Sequence, residues 1–142
     1  MKPLKKAIAF VIYNKDRTRF LAVKRPADDE DLPNLWGLPA GSLKSGETFE
    51  KAVLRSGKEK LGVELRILKM IGEGEIERDK YVLHMREYEA EIIQGRPKVP
   101  QPVRGVTQYR DWKWATPEEL KEAAEKGSLC SRIFLGNSKN KK

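Results

Sequence analysis

The chain has 142 residues and a mass of 16.3 kDa, which suits one compact domain and excludes two. Hydrophobic residues make up 39% of it and charged residues 35%, so a fibrous or wholly disordered protein is excluded. The longest apolar run, Ala7 to Tyr13, is far shorter than the roughly 20 residues that span a bilayer, and no membrane association is expected. A single cysteine, Cys130, excludes an internal disulfide and favours a reducing, cytoplasmic location.

The charge balance is strongly basic. Lysine and arginine number 29 against 21 acidic residues, giving a formal net charge of +8, which attracts nucleotides, nucleic acids and other polyanions. Part of the excess lies in the last residues, 137–142, which are predicted to be a disordered basic tail after a single domain at 1–136. Abundant lysine and glutamate with one histidine also resemble the composition of thermophile proteins.

Alternation of apolar and polar residues predicts five strands. The first two are joined by a turn at 15–18, and the second is followed by a polar loop at 26–34. The Gly- and Pro-rich stretch WGLPAGSLKSGE is predicted to be loop, as is the proline-rich segment 95–105. The predicted strands are 5–14, 19–25, 64–77, 81–93 and 108–115.

Capping signals predict the helices. The first begins after Thr48 as N-cap and ends at Gly62. The second has Thr116 as N-cap, Pro117 in the first helical position and a glutamate three residues after the cap, and it is predicted to end at Gly127. A last short helix is predicted at 129–135. Strands interleaved with helices indicate an α/β or α+β fold.

The segment from Gly41 to Val63 is the most informative part of the chain. A glycine-rich turn leads into a helix N-terminus, which is a natural position for an anion. Arg55 and Glu59 are four residues apart and share one helix face. A solvated face of mixed charge is the alternative explanation of that spacing.

This segment resembles the Nudix box, G-x5-E-x7-R-E-U-x-E-E-x-G-U, where U is a bulky aliphatic residue. WGLPAG before it and DWKWATPEEL near the end of the chain are similar to the family's flanking elements. The resemblance implies a MutT-like Nudix domain, an α/β/α sandwich with a mixed β-sheet between helices. Six of the nine defined positions match without a gap: Gly41, Glu47, Arg55, Glu59, Gly62 and Val63.

The resemblance also implies an activity and a site. Members of the family hydrolyse nucleoside diphosphates linked to another group, with Mg²⁺ or Mn²⁺ held by the box carboxylates. It implies catalytic roles for Glu47, Arg55 and Glu59, and metal contacts from Glu59 and the Ala40 carbonyl. Arg25 matches a family position that often contacts phosphate or base. The other candidate substrate-binding residues are Gly41, Ser56 and Lys60 of the box.

Three box positions depart from the family pattern. Ser56 and Lys60 stand where the family has metal-binding glutamates, and Gly57 stands at an aliphatic position. The formal charge of the ligand positions therefore changes from −3 to 0, so we expect Mg²⁺ or Mn²⁺ to bind weakly or not at all. Lys60 is instead expected to supply positive charge to a phosphate. Gly57 indicates a close approach between helix and sheet.

Two groups of acidic residues could replace the missing metal-binding carboxylates of the box. Alternation along one strand puts three glutamates on one face, and four consecutive acids precede Trp36. A solvated acidic surface is the alternative for both. The candidates are Glu87, Glu89 and Glu91 in the strand and Asp28, Asp29, Glu30 and Asp31 in the loop.

Three functions remain open after the sequence is read. The first is a pyrophosphohydrolase with a weakened metal site, and the second is a catalytically silent Nudix domain that binds a nucleotide or other phosphorylated ligand. The third, a nucleic-acid-binding protein, ranks last because no array of basic and aromatic residues has a recognisable spacing. A small nucleotide or another diphosphate compound is therefore the expected partner, and the sequence leaves monomer and homodimer open.

Overall fold

Two β-sheets form the framework of the protein. The computed structural model describes residues 2–27 and 33–139, with side chains described as far as residue 136. Seven strands run in chain order as β1 (Leu4–Val11), β2 (Phe20–Lys24), β3 (Trp36–Gly37), β4 (Ala40–Ser42), β5 (Glu64–Glu77), β6 (Val82–Gln94) and β7 (Asp111–Ala115). One sheet has the order β4-β1-β6-β5, with β1 parallel to β6 and the other pairs antiparallel. The other sheet is antiparallel, with the order β3-β2-β7.

Helices cover both faces of the mixed sheet. Helix α1 (Phe49–Ser56) continues into a π-helical turn (Gly57–Leu61). A 3₁₀ turn (Pro117–Leu120) leads into α2 (Lys121–Glu125), and α3 (Leu129–Lys139) follows. No helix in the described part of the chain is both long and apolar enough to cross a bilayer.

Side chains that alternate along β1 contribute to two hydrophobic cores, one on each face of the mixed sheet. Ile8 and Phe10 are buried with residues of α1, whereas Ala7 and Ala9 are buried with Cys130 and other residues of α3. Successive side chains of a strand point to opposite faces, so one strand contributes to two cores. This arrangement confirms the predicted α/β/α sandwich with a mixed sheet between helices.

The predicted caps are confirmed. Thr48 Oγ1 accepts a hydrogen bond from the backbone N–H of Lys51 at 3.1 Å, and Gly62 ends the helical segment in the left-handed region with φ of 72°. The Glu119 carboxylate accepts from the backbone N–H of Thr116 at 2.8 Å. Gly57 meets the expectation of a close approach, because a Cβ at this position would lie 2.6 Å from Leu65 Cδ1 on β5.

The structure differs from the sequence prediction in the glycine-rich stretch and at the end of the last helix. Strands β3 and β4 lie in the stretch predicted to be loop, because they are formed by pairing with β2 and β1 rather than by local propensity. The predicted end of the last helix at Gly136 is wrong, since α3 continues to Lys139. The acidic run at 28–31 lies outside the described residues, as does the end of the predicted tail, 140–142.

Candidate functional site

An arginine at the end of α1 joins the glycine-rich loop to the π-helical turn. Arg55 donates from Nε and Nη2 to the two carboxylate oxygens of Glu47 at 2.8 and 2.9 Å, and from Nη1 to Glu59 at 2.9 Å. Its Nη2 also donates to the backbone oxygen of Ser42 at 2.8 Å. The hydrogen bonds from Arg55 hold the pKa of Glu47 below its usual range. Bidentate pairing of this kind fixes geometry, so these residues brace the loop against the helix.

A lysine ammonium lies on the other side of the same loop. Lys60 Nζ donates to the backbone oxygen of Ala40 at 2.5 Å and lies 5.3 Å from the ring centroid of Tyr109. The Tyr109 hydroxyl donates to the same Ala40 oxygen at 3.1 Å and accepts from the Ala40 N–H at 2.9 Å. Tyr109 was not predicted from the sequence, because nothing near it in the chain indicates a hydrogen bond to a residue 69 positions away.

Ser56 lies behind this lysine, inside the protein. It is completely buried, and its hydroxyl has no hydrogen-bond partner among the described residues. A Cβ at Gly41 would lie 2.6 Å from Ser56 Oγ and 3.7 Å from Lys60 Nζ, so glycine is required for the loop to pass here. Because Ser56 is enclosed, the direct ligand contact expected from the sequence is not available to it in this structure.

The unpaired hydroxyl of Ser56 gives a test of this packing. We expect Ser56→Ala to leave the free energy of unfolding unchanged or to raise it by up to about 1 kcal/mol, because an unsatisfied buried hydroxyl is removed. Ser128→Ala is the matched control, since Ser128 Oγ accepts from the Ser131 N–H at 3.3 Å at the start of α3. The control should lose about 1 kcal/mol. Thermal unfolding measures both, and a larger loss for Ser56→Ala than for Ser128→Ala would contradict the model of the buried site.

A cationic cavity of about 250 Å³ opens beside the Ala40 carbonyl. Ala40 and Gly41 form part of its wall, and four positively charged side chains line it. No aspartate or glutamate among the described residues is in that lining. Clefts lined by charge of one sign concentrate oppositely charged ligands, so this cavity suits an anion. The four cations are Lys5, Arg25, Lys60 and Arg78.

The structure divides the predicted site residues into two groups. Arg25, Ala40, Gly41 and Lys60 come together in the cavity wall. Glu47, Arg55 and Glu59 come together in the brace, outside the described lining of the cavity. Two further residues of the cavity wall, Lys5 and Arg78, were not predicted from the sequence as site residues. The alternation of β1 contains a signal for Lys5, because it is two residues before Ala7 on the same face.

None of the three strand glutamates is in the described lining of this cavity. Glu89 is ion-paired with Arg17, with Nη1 and Oε2 2.8 Å apart, and Glu91 is ion-paired with Arg66. Glu87 is fully buried, and neither of its carboxylate oxygens has a hydrogen-bond partner among the described residues. Burial raises the pKa of Glu87 well above its usual value. The three glutamates alternate regularly in the sequence, yet their side chains lie in three different environments.

The sequence of the chain matches a known protein family. The family model described as the NUDIX domain matches residues 3–133, almost the whole chain. The chain belongs to the NUDIX family. Proteins of this family act on small nucleotide-linked compounds. No curated protein sequence matches the chain.

Solved structures share the Nudix fold of this chain at low sequence identity. The MutT protein from Methanosarcina mazei Go1 has a TM-score of 0.73 and 19% identity, over 99% of this chain and 98% of that one. The NUDIX hydrolase from Nitrosomonas europaea has a TM-score of 0.73 and 17% identity, over 99% and 92%. The MutT NUDIX hydrolase from Burkholderia pseudomallei has a TM-score of 0.72 and 22% identity, over 96% and 98%.

The divalent metal that Nudix hydrolases use does not fit the box of this chain. Both positions that the resemblance assigns to metal already contact cations, since Glu59 pairs with Arg55 and Ala40 O accepts from Lys60. Lys44 Nζ is a second cation 3.9 Å from Glu59. In the described ranges, no three His, Cys, Asp or Glu side chains form a group that could hold a metal ion. Mg²⁺ prefers several oxygen ligands, including carboxylates, and this set offers it an ammonium instead.

Proposed function

We propose that this Nudix domain binds a nucleoside diphosphate linked to another group in the cationic cavity, without a divalent metal. The contact between Lys60 Nζ and Ala40 O carries the proposal. It supports a role for the ammonium in place of the metal charge, next to the carbonyl that the family resemblance assigns to metal. Arg25 and the Gly41 backbone in the same wall would contact the diphosphate. An ammonium attracts phosphate as a compact charge, so such binding requires no metal ligands.

Hydrolysis of the pyrophosphate bond is the second candidate function. The family match and the intact brace of Glu47, Arg55 and Glu59 favour it. In this alternative Glu59 and the Ala40 carbonyl would hold Mg²⁺ or Mn²⁺ weakly, and Lys60 would have to leave Ala40. The geometry supports binding without metal better than hydrolysis. Arg55 and Lys44 contact the Glu59 carboxylate, and Lys60 contacts the Ala40 carbonyl.

Lys60→Met tests the proposed function by removing the ammonium while keeping most of the side-chain volume. We expect wild-type protein to bind UDP-glucose and ADP-ribose in EDTA, and the variant to bind them at least about tenfold more weakly, or about 1.4 kcal/mol. Isothermal titration calorimetry measures the affinities, which should fall as salt screens the charge contacts.

Lys58→Met is the matched control, because Lys58 is exposed two residues earlier and pairs with Glu64 at 3.8 Å. The Lys58→Met variant should bind UDP-glucose and ADP-ribose with the same affinity as the wild type. Absence of binding by the wild type in EDTA, or equal affinities for Lys60→Met and the control, would refute the proposal. Assaying the same proteins without EDTA, in Mg²⁺ or Mn²⁺, for nucleoside monophosphate release decides the hydrolytic alternative.

Several broader expectations belong with this proposal. A small diphosphate compound is the proposed partner, in preference to nucleic acid, since four cations line one cavity of the size of a small ligand. The free, buried thiol of Cys130 supports a cytoplasmic location. Thermophile-like stability and the choice between monomer and homodimer are left to thermal unfolding and to sedimentation measurements.

A further inference from the structure

The cationic cavity has a second positively charged end, away from Lys60. Ala9 on β1 is paired with Ala40, the residue that Lys60 contacts, and Lys5 is four residues earlier on the same strand. At about 3.3 Å per residue, the backbone of Lys5 lies about 13 Å along the strand from that point. Arg78, at the turn after β5, and Tyr81, just before β6, line the cavity together with Lys5.

In the part of the chain that the structure describes, no carboxylate neutralises the cations of this second end. Lys5 and Arg78 form no ion pair with a carboxylate in the described ranges, whereas nearby Lys2 pairs with Glu77 at 2.7 Å. Lys5 Nζ lies 5.0 Å from the ring centroid of Tyr81. Arg78 Nη2 donates to the backbone oxygen of Gly127 at 2.9 Å, which orients the guanidinium. Its Nε is buried and has no hydrogen-bond partner among the residues described.

Apolar side chains form part of the surface between the two ends. Ala7, Leu83, Met85 and Leu129 line the cavity there, and all four are buried residues of the core below it. A cavity with two cationic ends and an apolar floor is complementary to a ligand whose charges are separated by a neutral part. A diphosphate alone would place all its charge at one end and would leave Lys5 and Arg78 unused.

We propose that Lys5 and Arg78 form a second anion subsite, so that the preferred ligand carries a carboxylate or phosphate on the group beyond the diphosphate. This inference rests on the proposed function for the position of the diphosphate at Lys60. Lys5 supplies an ammonium at the exposed rim, and Arg78 supplies a guanidinium held by Gly127. The subsite thereby selects among nucleoside diphosphate compounds by the charge of their distal group.

UDP-glucuronic acid and UDP-glucose test the subsite, because they differ only in a distal carboxylate against a distal hydroxymethyl group. We expect calorimetry in EDTA at low salt to show at least about fivefold tighter binding of UDP-glucuronic acid to the wild type. Lys5→Gln should reduce this preference to less than about twofold, because it weakens binding of UDP-glucuronic acid more than binding of UDP-glucose, which loses only the longer-range attraction of the ammonium. Lys51→Gln is the control, since Lys51 is exposed on α1, across the sheet from the cavity, and it should keep the full preference.

The outcomes separate this inference from the proposed function. Equal binding of the two ligands by the wild type, or a preference that survives in Lys5→Gln, would overturn the second subsite while leaving diphosphate binding intact. Failure of both ligands to bind the wild type in EDTA would overturn the proposed function and the subsite together. Loss of the preference in Lys5→Gln alone, with unchanged thermal unfolding of both variants, supports the subsite.

Discussion

The double variant Ser56→Glu/Lys60→Glu is expected to gain Mg²⁺-dependent stability and at least tenfold faster hydrolysis of nucleoside diphosphate compounds. It would place carboxylates at 56, 59 and 60, which lie together at one turn of the helix. Ser56 Oγ and Lys60 Nζ both adjoin Gly41, so removing the lysine stem frees space for the introduced glutamate at 56. The ammonium that now contacts Ala40 O would also be gone, and its carbonyl would be available to an ion.

Linkage determines the expected stability change. Without metal the added carboxylates repel one another, so the double variant should unfold at a lower temperature than the wild type in EDTA. An ion present at about ten times its dissociation constant stabilises the folded state by about 1.4 kcal/mol, provided that it does not bind the unfolded chain. Bound Mg²⁺ would also neutralise charge on the diphosphate, which supports the expected rise in hydrolysis.

Ser56→Glu/Lys58→Glu is the matched control for the rebuilt box. It has the same composition and charge as the rebuilt variant, but Lys58 pairs with Glu64 and is outside the described lining of the cavity. The control should show neither the Mg²⁺-dependent rise in Tm nor the gain in hydrolysis. A rebuilt variant that binds no Mg²⁺, or a control that behaves identically, would show that the substitutions at 56 and 60 are not what excludes metal.

Elements with local signals could be predicted from the sequence. Thr48 and Thr116 begin helical segments because their caps satisfy backbone groups within three residues, and a sequence window contains all of that information. The long strands β5 and β6 follow from alternation. By contrast, β3 and β4 contain two and three residues, and they exist because β1 and β2 pair with them. Pairing over that separation leaves no local pattern.

The candidate site was predictable where it depends on the box and unpredictable where it depends on packing. Glu47 and Arg55 are eight residues apart in a known motif, and the structure joins them by two hydrogen bonds. The contact of Lys60 with Ala40 O and the burial of Ser56 depend on how closely β4 approaches the helix. Glu87 and Glu89 occupy equivalent positions in the sequence pattern, yet Glu89 has Arg17 as a partner and Glu87 has no hydrogen-bond partner among the described residues.

Glu87 makes an unfavourable contribution to stability that grows with pH. Its side chain is on the side of the mixed sheet that faces α3, where burial raises its pKa well above the usual value. Burial raises the pKa values of the Cys130 thiol and the Tyr13 hydroxyl, and the neighbouring Glu87 carboxylate raises both further. Arg25 lowers the pKa of the Cys130 thiol.

In the pH range between the ordinary glutamate pKa and the raised pKa of Glu87, the folded chain keeps a proton that the unfolded chain has released. The free energy of unfolding therefore falls as pH rises through this window.

Glu87→Gln removes that titration while keeping the side-chain shape, so we expect it to stabilise the protein at neutral and higher pH. At pH 8 the variant should exceed the wild type by at least about 1 kcal/mol, or about 4 °C in Tm for a chain of this length. The difference should become small near pH 4, where Glu87 of the wild type is largely protonated in both the folded and the unfolded state. Glu89→Gln is the matched control two residues away, and its effect should have the opposite sign. It breaks the Arg17 ion pair and should lose about 1–3 kcal/mol at neutral pH. Thermal unfolding at several pH values measures both variants, and a Glu87→Gln variant that is less stable than the wild type at pH 8 would mean that the ionised carboxylate has a partner in the folded protein.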